Sequence, residues 1–433
     1  MSLKSRVTAS VTVATLALTF AIASPVVSPA SAAPSISSTI TLPTDPGSES
    51  VAFSPDGTKA YVGTAFADLQ VISVSDGTLE TPISYGCCTN SVAVSPDGSK
   101  AYLTAFDDGS VRVLDLANKT NLGRIDFGND ANSVILSPDG SKAYVTSRRD
   151  QRVYVISVAT STVTANIFLA DVVPVAAAVS PDGTKVYVAD EVGAVSVIDT
   201  STNTLTETIM LPTGSESRSI AITPDGSKAF VANKGNDTVS VIALATNTVA
   251  STIALPSGSG PYSVAITPNG SKALVANETS GTVSVISVAT ETVTSTLTLP
   301  TDSAPRAVAI TPDGTKAYVV NRGTSTVSVI SIPISITSVP RALATGPRTS
   351  TSMTLRWRAP ENKNGGVITD FTVQYRRTGT TDWVTFAHTA STLKRQTVTG
   401  LTANTRYEFR VAAKTEDGNS EFTSPVTKST SRR

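Results

Sequence analysis

Seven short turn motifs at nearly even spacing constrain this chain more than any other feature. Ser-Pro-Asp-Gly stands at 54–57, 95–98, 137–140 and 180–183, Thr-Pro-Asp-Gly at 223–226 and 311–314, and Thr-Pro-Asn-Gly at 267–270. Successive prolines lie 41, 42, 43, 43, 44 and 44 residues apart. That period matches one four-stranded sheet of a radial array, so seven copies predict a ring of seven sheets. The motif has its own logic. In a type I turn Ser or Thr suits the first position, Pro presets φ at the second, Asp tolerates the third and Gly accepts the position that follows. Each copy therefore joins two antiparallel strands.

The segments between turns alternate as strands do. Ser91-Val92-Ala93-Val94 precedes a turn, Lys316-Ala317-Tyr318-Val319 follows one, Thr326-Val327-Ser328-Val329-Ile330 comes third, and 292–299 reads as a fourth strand. Val, Thr and Ser dominate, which suits pleated strands, and no long stretch carries a 3.6-residue apolar period. Ala52, Ala93, Ala178, Ala221, Ala265 and Ala309 sit in the strand before six of the turns. Only small side chains fit there if that strand lies nearest a crowded axis. Fourth strands are predicted near 79–85, 121–127, 163–169, 205–211, 249–255 and 293–299, one short of seven. The missing one is predicted at 36–42, where Ile36-Ser37-Ser38-Thr39-Ile40-Thr41-Leu42 reads like Ser251-Thr252-Ile253-Ala254-Leu255. The N-terminal strand would complete the last sheet and close the ring.

These residues resemble the YVTN family of propeller repeats. The resemblance rests on Lys-Ala-Tyr-Val at 316–319 with Asn321, on Thr-Val-Ser-Val-Ile at 238–242 and 326–330, and on the turns. It covers 33–336 and implies a seven-bladed β-propeller. It is looser in blades one to four, where the family Asn becomes Thr64, Ala105, Ser147 and Asp190. Related propellers include lactonase-like hydrolases and cofactor-bearing oxidoreductases, so the implied fold leaves function open.

Residues 338–430 lack the turn repeat. Leu355 and Trp357 alternate on one strand, and Phe371, Val373 and Tyr375 line one face of another. Leu401-Thr402-Ala403-Asn404-Thr405-Arg406-Tyr407, the run 407–413 and Gly418-Asn419-Ser420 resemble a fibronectin type III module. There a tyrosine hydroxyl bonds upstream backbone and fixes a strand crossing. The fold class expected is all-β: a seven-bladed propeller followed by a fibronectin type III-like β-sandwich. No Arg-Gly-Asp tripeptide occurs, so integrin adhesion is not implied. The resemblance implies a spacer or surface binder of the kind that accompanies bacterial enzymes degrading extracellular polysaccharides.

The first 32 residues read as a secretory signal. Lys4 and Arg6 give the positive region, 7–23 the apolar region, and Ala30-Ser31-Ala32 a small-residue cleavage site. Pro25 and Pro29 suit a processed leader better than a membrane anchor. No later segment is apolar enough to span a bilayer, and no cysteine stands near the cleavage site to take a lipid. The expected location is extracellular, with association to the cell wall open. Cys87 and Cys88 are adjacent, which allows either a strained vicinal disulfide or two buried thiols. Charge divides along the chain. Residues 33–336 carry 17 basic and 27 acidic groups, a net of −10, while 337–433 carry 15 and 7, a net of +8. The acidic propeller argues against nucleic acid as its partner, and the basic module is suited to an anionic surface.

Chemistry is sparse. The one histidine, His388, falls in the second domain, so a Ser-His-Asp triad or histidine-held metal in the propeller is excluded. It reads as a surface polar residue. No cofactor or metal set is expected. Most aspartates belong to turns, while Asp107-Asp108 and Asp190-Glu191 read as solvated loop acids without a calcium-loop spacing. Positions repeated around a ring form rings themselves. Six residues before each motif proline stand Glu49, Asn90, Asn132, Val175, Arg218, Tyr262 and Arg306. Nine residues after it stand Thr64, Ala105, Ser147, Asp190, Asn233, Asn277 and Asn321. The first ring varies on a uniform scaffold, which is where a binding site would sit. Arg218 and Arg306 with Tyr262 between them would cradle a carboxylated or sugar ligand, opposite an arc of Glu49, Asn90 and Asn132, making the mouth electrically lopsided. The asparagines of the second ring are expected to bond nearby backbone. The expected function is a secreted, monomeric, non-catalytic binding or scaffold protein for a glycan, peptide or cell-wall component. The alternative is an extracellular hydrolase of glycosyl bonds or lactones, which two facing acids at the mouth would favour.

Overall fold

The computed structural model describes residues 33–43, 47–65, 68–86, 89–105, 109–333, 339–361, 368–415 and 418–432. The predicted signal, Cys87, Cys88, Asp107 and Asp108 lie outside them. Among the described residues seven four-stranded antiparallel sheets form the blades, and the first strands of neighbouring blades pack against one another. Blade five runs Ser217–Ile222, Lys228–Asn233, Thr238–Ala243 and Thr248–Ala254, in that order across the sheet. In its second strand every residue after Lys228 is buried, because neighbouring blades cover both faces. Its outermost strand largely alternates exposed with covered residues.

Blade seven is built from both ends of the ring. Pro305–Ile310, Lys316–Asn321 and Thr326–Ser331 are completed by Ser35–Thr41, which pairs antiparallel with the third of them. Ile36 faces Ile330 and Ile40 faces Val327 in the register. Leu42 is buried with Val51, Val62, Tyr318 and Val327, so one apolar cluster holds residues of blades seven and one. Blade one departs from the sequence reading. A strand was expected over 79–85, but the ladder holds only Ile83–Ser84 and a single bridge from Leu79 to Ile72. Pro82 lies between them and has no N–H to donate to a ladder.

The repeated turn is held by its own side chains. The Gly57 N–H donates to the Ser54 carbonyl at 2.9 Å, closing the turn. The Ser54 hydroxyl donates to Asp56 at 2.6 Å, the Thr58 N–H donates to Asp56 at 3.0 Å, and the Lys59 N–H donates to Ser54 Oγ at 3.0 Å. The Ser54 hydroxyl, then Thr58, hold the Asp56 carboxyl down at about 2. Gly57 has φ +70°, and a Cβ there would lie 3.4 Å from Pro312 of blade seven. Position four of the motif is thus glycine for backbone conformation.

Around the axis a second repeat joins the blades. Ser50, Ser91, Ser219 and Ser263 stand at one equivalent position, and each hydroxyl accepts the backbone N–H of a residue in the next blade. The donors are Val92 at 3.1 Å, Val134 at 3.3 Å, Val264 at 3.2 Å and Val308 at 3.2 Å. Ala176 and Ala307 occupy the same position in blades four and seven and have no hydroxyl to offer.

The C-terminal module has one sheet of Arg341–Arg348, Met353–Arg358 and Arg395–Val398, and another centred on Asp370–Arg377 and Arg406–Thr415. Leu355, Trp357, Phe371, Val373, Tyr407 and Phe409 meet between them. The Tyr407 hydroxyl accepts the Thr402 N–H at 3.0 Å, the upstream backbone bond expected at that corner. His388 corrects its sequence reading as a surface residue. Its side chain is only 11% exposed, with Nε2 3.0 Å from the Phe371 carbonyl and the ring stacked on Phe386. No helix among the described residues is long and apolar enough to cross a membrane.

Candidate functional site

Where the first strands enter the blades, one end of the axis opens into a cavity of about 510 Å³. Repetition puts equivalent residues at equal depth, so Glu49, Asn90, Asn132, Val175, Arg218, Tyr262 and Arg306 all line it. The serines that join the blades line it too. Asn90 Nδ2 donates to Asn132 Oδ1 at 3.4 Å, and Asn132 Nδ2 donates to the Val175 carbonyl, so these amides run hand to hand across blades two to four.

The charges are arranged differently from the sequence reading. Arg218 does not flank Tyr262: it pairs with Glu191, which also takes Arg148 at 2.5 Å. Tyr262 instead carries the Arg306 guanidinium 4.3 Å and the Lys234 ammonium 5.6 Å from its ring centre. Arg306 reaches Glu278 at 2.7 Å and Glu49 at 3.8 Å. Arg322 reaches Glu49 at 2.9 Å, and Lys234 reaches Glu278 at 2.6 Å. Glu49 is therefore not on an opposite arc. Closure of the ring sets blade one beside blade seven, and Glu49 lies between Arg306 and Arg322. Burial pushes the Glu49 carboxyl above its ordinary value, while Arg306 and Arg322 pull it down. Burial works against the Arg306 charge, but Tyr262, Glu49 and Glu278 outweigh it and raise that group. The residues that line the cavity include four arginines, Arg148, Arg218, Arg306 and Arg322, and one carboxylate, Glu49.

Sequence reasoning missed half of this network. Ten residues after the motif prolines stand Ala65, Phe106, Arg148, Glu191, Lys234, Glu278 and Arg322. The alternation of sign from blade three to blade seven was visible one position beyond the ring that was read. Phe106 lies outside the described residues. Glu191 is a paired acid at the mouth rather than a solvated loop acid.

The second ring lies behind the mouth and is structural. Asn233 Nδ2 donates to the Thr238 hydroxyl at 3.0 Å and to the Ser240 hydroxyl at 2.8 Å, and Asn277 and Asn321 repeat the pattern. These bonds go to side chains of the following strand, not to backbone as the sequence suggested, because Thr and Ser face the Asn across a two-strand ladder. In blade four the equivalent residue is Asp190, 1% exposed, which accepts the Val192 and Ala194 N–H groups at 2.9 and 3.1 Å. It too is a buried group, not a solvated acid. Burial pushes its carboxyl above the ordinary value, against those backbone donors. The folded value is the higher one. Its contribution therefore favours the fold below about pH 4 and is lost as pH rises through the folded value. Asp190→Asn keeps the acceptor and removes the buried charge. It is expected to add about 1 kcal/mol at pH 7 and nothing near pH 3. Denaturant unfolding at both values checks this, and a loss at pH 7 contradicts it.

Comparison with known proteins agrees with this architecture. Residues 338–429 match the family model of the fibronectin type III domain. A 70-residue stretch is 34% identical to Protein turtle of Drosophila melanogaster; it spans 16% of this chain and about 5% of that protein's length. Among solved structures, Kuenenia stuttgartiensis Hydrazine Synthase superposes with a TM-score of 0.61 at 21% identity, covering 67% of this chain and 97% of that one. At that identity the likeness concerns the fold alone. Residues 100–349, more than half of the chain, match the model described as Lactonase, 7-bladed beta-propeller, and the chain belongs to that family.

Proposed function

We propose that the chain is a secreted, non-catalytic binding or scaffold protein. The propeller mouth takes a glycan, peptide or cell-envelope ligand, and the fibronectin type III module spaces or docks it. The observation that carries this reading is the convergence of seven variable positions on one open cavity rich in arginine. A screen of glycans, peptides and cell-wall fractions, followed by the double variant Arg218→Ala/Arg306→Ala, tests it. Each glutamate keeps one cation in that variant: Glu191 keeps Arg148, Glu278 keeps Lys234 and Glu49 keeps Arg322. The fold is therefore expected to survive. Ligand binding is expected to fall at least tenfold, since a charge-assisted hydrogen bond contributes about 1.5–3 kcal/mol. Equal binding by parent and variant, or binding by the fibronectin type III module alone, sinks the reading.

Family membership favours one second reading, hydrolysis of a lactone. Glu49 is the one carboxylate among the described residues that line the cavity, and Arg306 and Arg322 hold it, whereas hydrolysis by paired acids needs a second carboxyl facing it. The same preparation assayed on lactones is expected to show no turnover above a heat-treated control.

A further inference from the structure

Summed over their contacts, the charged groups at the mouth fall into two clusters, and each leaves one positive charge over. In the first, Arg148 and Arg218 share the single carboxylate of Glu191. In the second, Lys234, Arg306 and Arg322 share Glu278 and Glu49. The cavity-lining arginines of the two clusters come from different blades. Arg148 and Arg218 come from blades three and five, whereas Arg306 and Arg322 come from blade seven, and all four line the cavity.

The neutral groups around the cavity wall point the same way. Ser50, Ser91, Ser219 and Ser263 line the cavity and have each accepted a backbone N–H from the next blade. An oxygen engaged in that way keeps its own proton to donate. The Asn132 amide donates to the Val175 carbonyl, which occupies an acceptor that a ligand donor would need. The wall thus offers hydroxyl donors and guanidinium donors, and its carboxylate oxygens are bound by cations.

We infer that the mouth selects a ligand with two separated carboxylates, one for each arginine cluster, and discriminates against a single compact anion. This inference rests on the reading of the mouth as a binding site and names the ligand's chemistry. A carboxylate matches the planar fork of a guanidinium, and two carboxylates joined by a chain place one charge at each cluster without crowding the axis. A lone phosphate can satisfy one cluster and leaves the other with its excess charge.

The test is calorimetric titration of the full mature chain with malonate, succinate, glutarate and adipate, beside acetate and inorganic phosphate, at low and physiological salt. One length in the series is expected to bind at least tenfold more tightly than acetate or phosphate, and to weaken as salt rises. Phosphate binding as tightly as the best dicarboxylate overturns the inference, as does affinity that ignores chain length or a series that does not bind. The variant Ala176→Trp, which fills the cavity from its wall, separates this failure from failure of the site. Ala307→Trp replaces it if the first does not fold. A screened glycan or peptide lost in the plugged variant, with dicarboxylates inert in the parent, leaves the site standing and removes the ligand class. Dicarboxylate binding that survives the plug removes both.

Discussion

Deletion of residues 35–42 is expected to lower the propeller's melting temperature by roughly ten degrees and to make it aggregate on heating. The segment supplies the outermost strand of blade seven, with Ile36 opposite Ile330 and Ile40 opposite Val327. It also brings Leu42, 3% exposed, into the cluster that spans blades seven and one. A fully buried Leu or Ile contributes about 1.5–3 kcal/mol, and Ile36 and Ile40 are only partly covered, so the loss is about 5 kcal/mol. Deletion also bares the ladder edge of Thr326–Ser331, a template for pairing between molecules. Calorimetry with light scattering measures both effects. A synthetic peptide of residues 33–43 added in trans is expected to recover part of the loss. Unchanged cooperative melting after deletion means that the strand does not close the ring.

The second large effect is expected in the C-terminal module. Phe371 is 1% exposed and meets Trp357 edge to face at 5.2 Å between centres. Replacing it with Ala costs about 3–5 kcal/mol. In a domain of this size each kcal/mol shifts melting by about 4–8 °C, so Phe371→Ala is expected to unfold the module near physiological temperature. We expect the propeller transition to stay in place. Two calorimetric peaks, of which only one moves, meet the expectation. A common shift of both peaks shows the two units to be coupled.

The fold was legible because it is written seven times. Pro55, Pro96, Pro138, Pro181, Pro224, Pro268 and Pro312 set the period, and position within the period set the strand. Pro82 shows where such reading stops, since one imino acid cut an outer strand that hydropathy alone extends over seven residues. The site was half legible. Ring positions follow from counting, and the cavity gathers all seven residues counted to it. Which charge meets which does not follow from counting. Glu49 looked remote from Arg306 because 257 residues separate them, yet closure makes their blades neighbours. Arg218 looked like half of a cradle until Glu191, one position past the second ring counted, took it. Side-chain reach and rotamer decide such pairings, and neither has a period.

The seven joints around the circumference are not alike. Between blades one and two, two and three, five and six, and six and seven, a serine hydroxyl takes a neighbour's N–H. At four to five and at seven to one an alanine stands instead, and charge spans the gap: Glu191 with Arg218, and Glu49 with Arg306 and Arg322. Neutral hydrogen bonds are nearly indifferent to salt, whereas partly exposed ion pairs are screened by it. Ion pairs also join blades three to four, five to six and six to seven. Charge therefore clasps the ring from blade three round to blade one, and at four to five and seven to one an alanine leaves no hydroxyl to share the task. A guest that takes those arginines competes with the clasps, so filling the mouth and tightening the hoop draw on the same few charges.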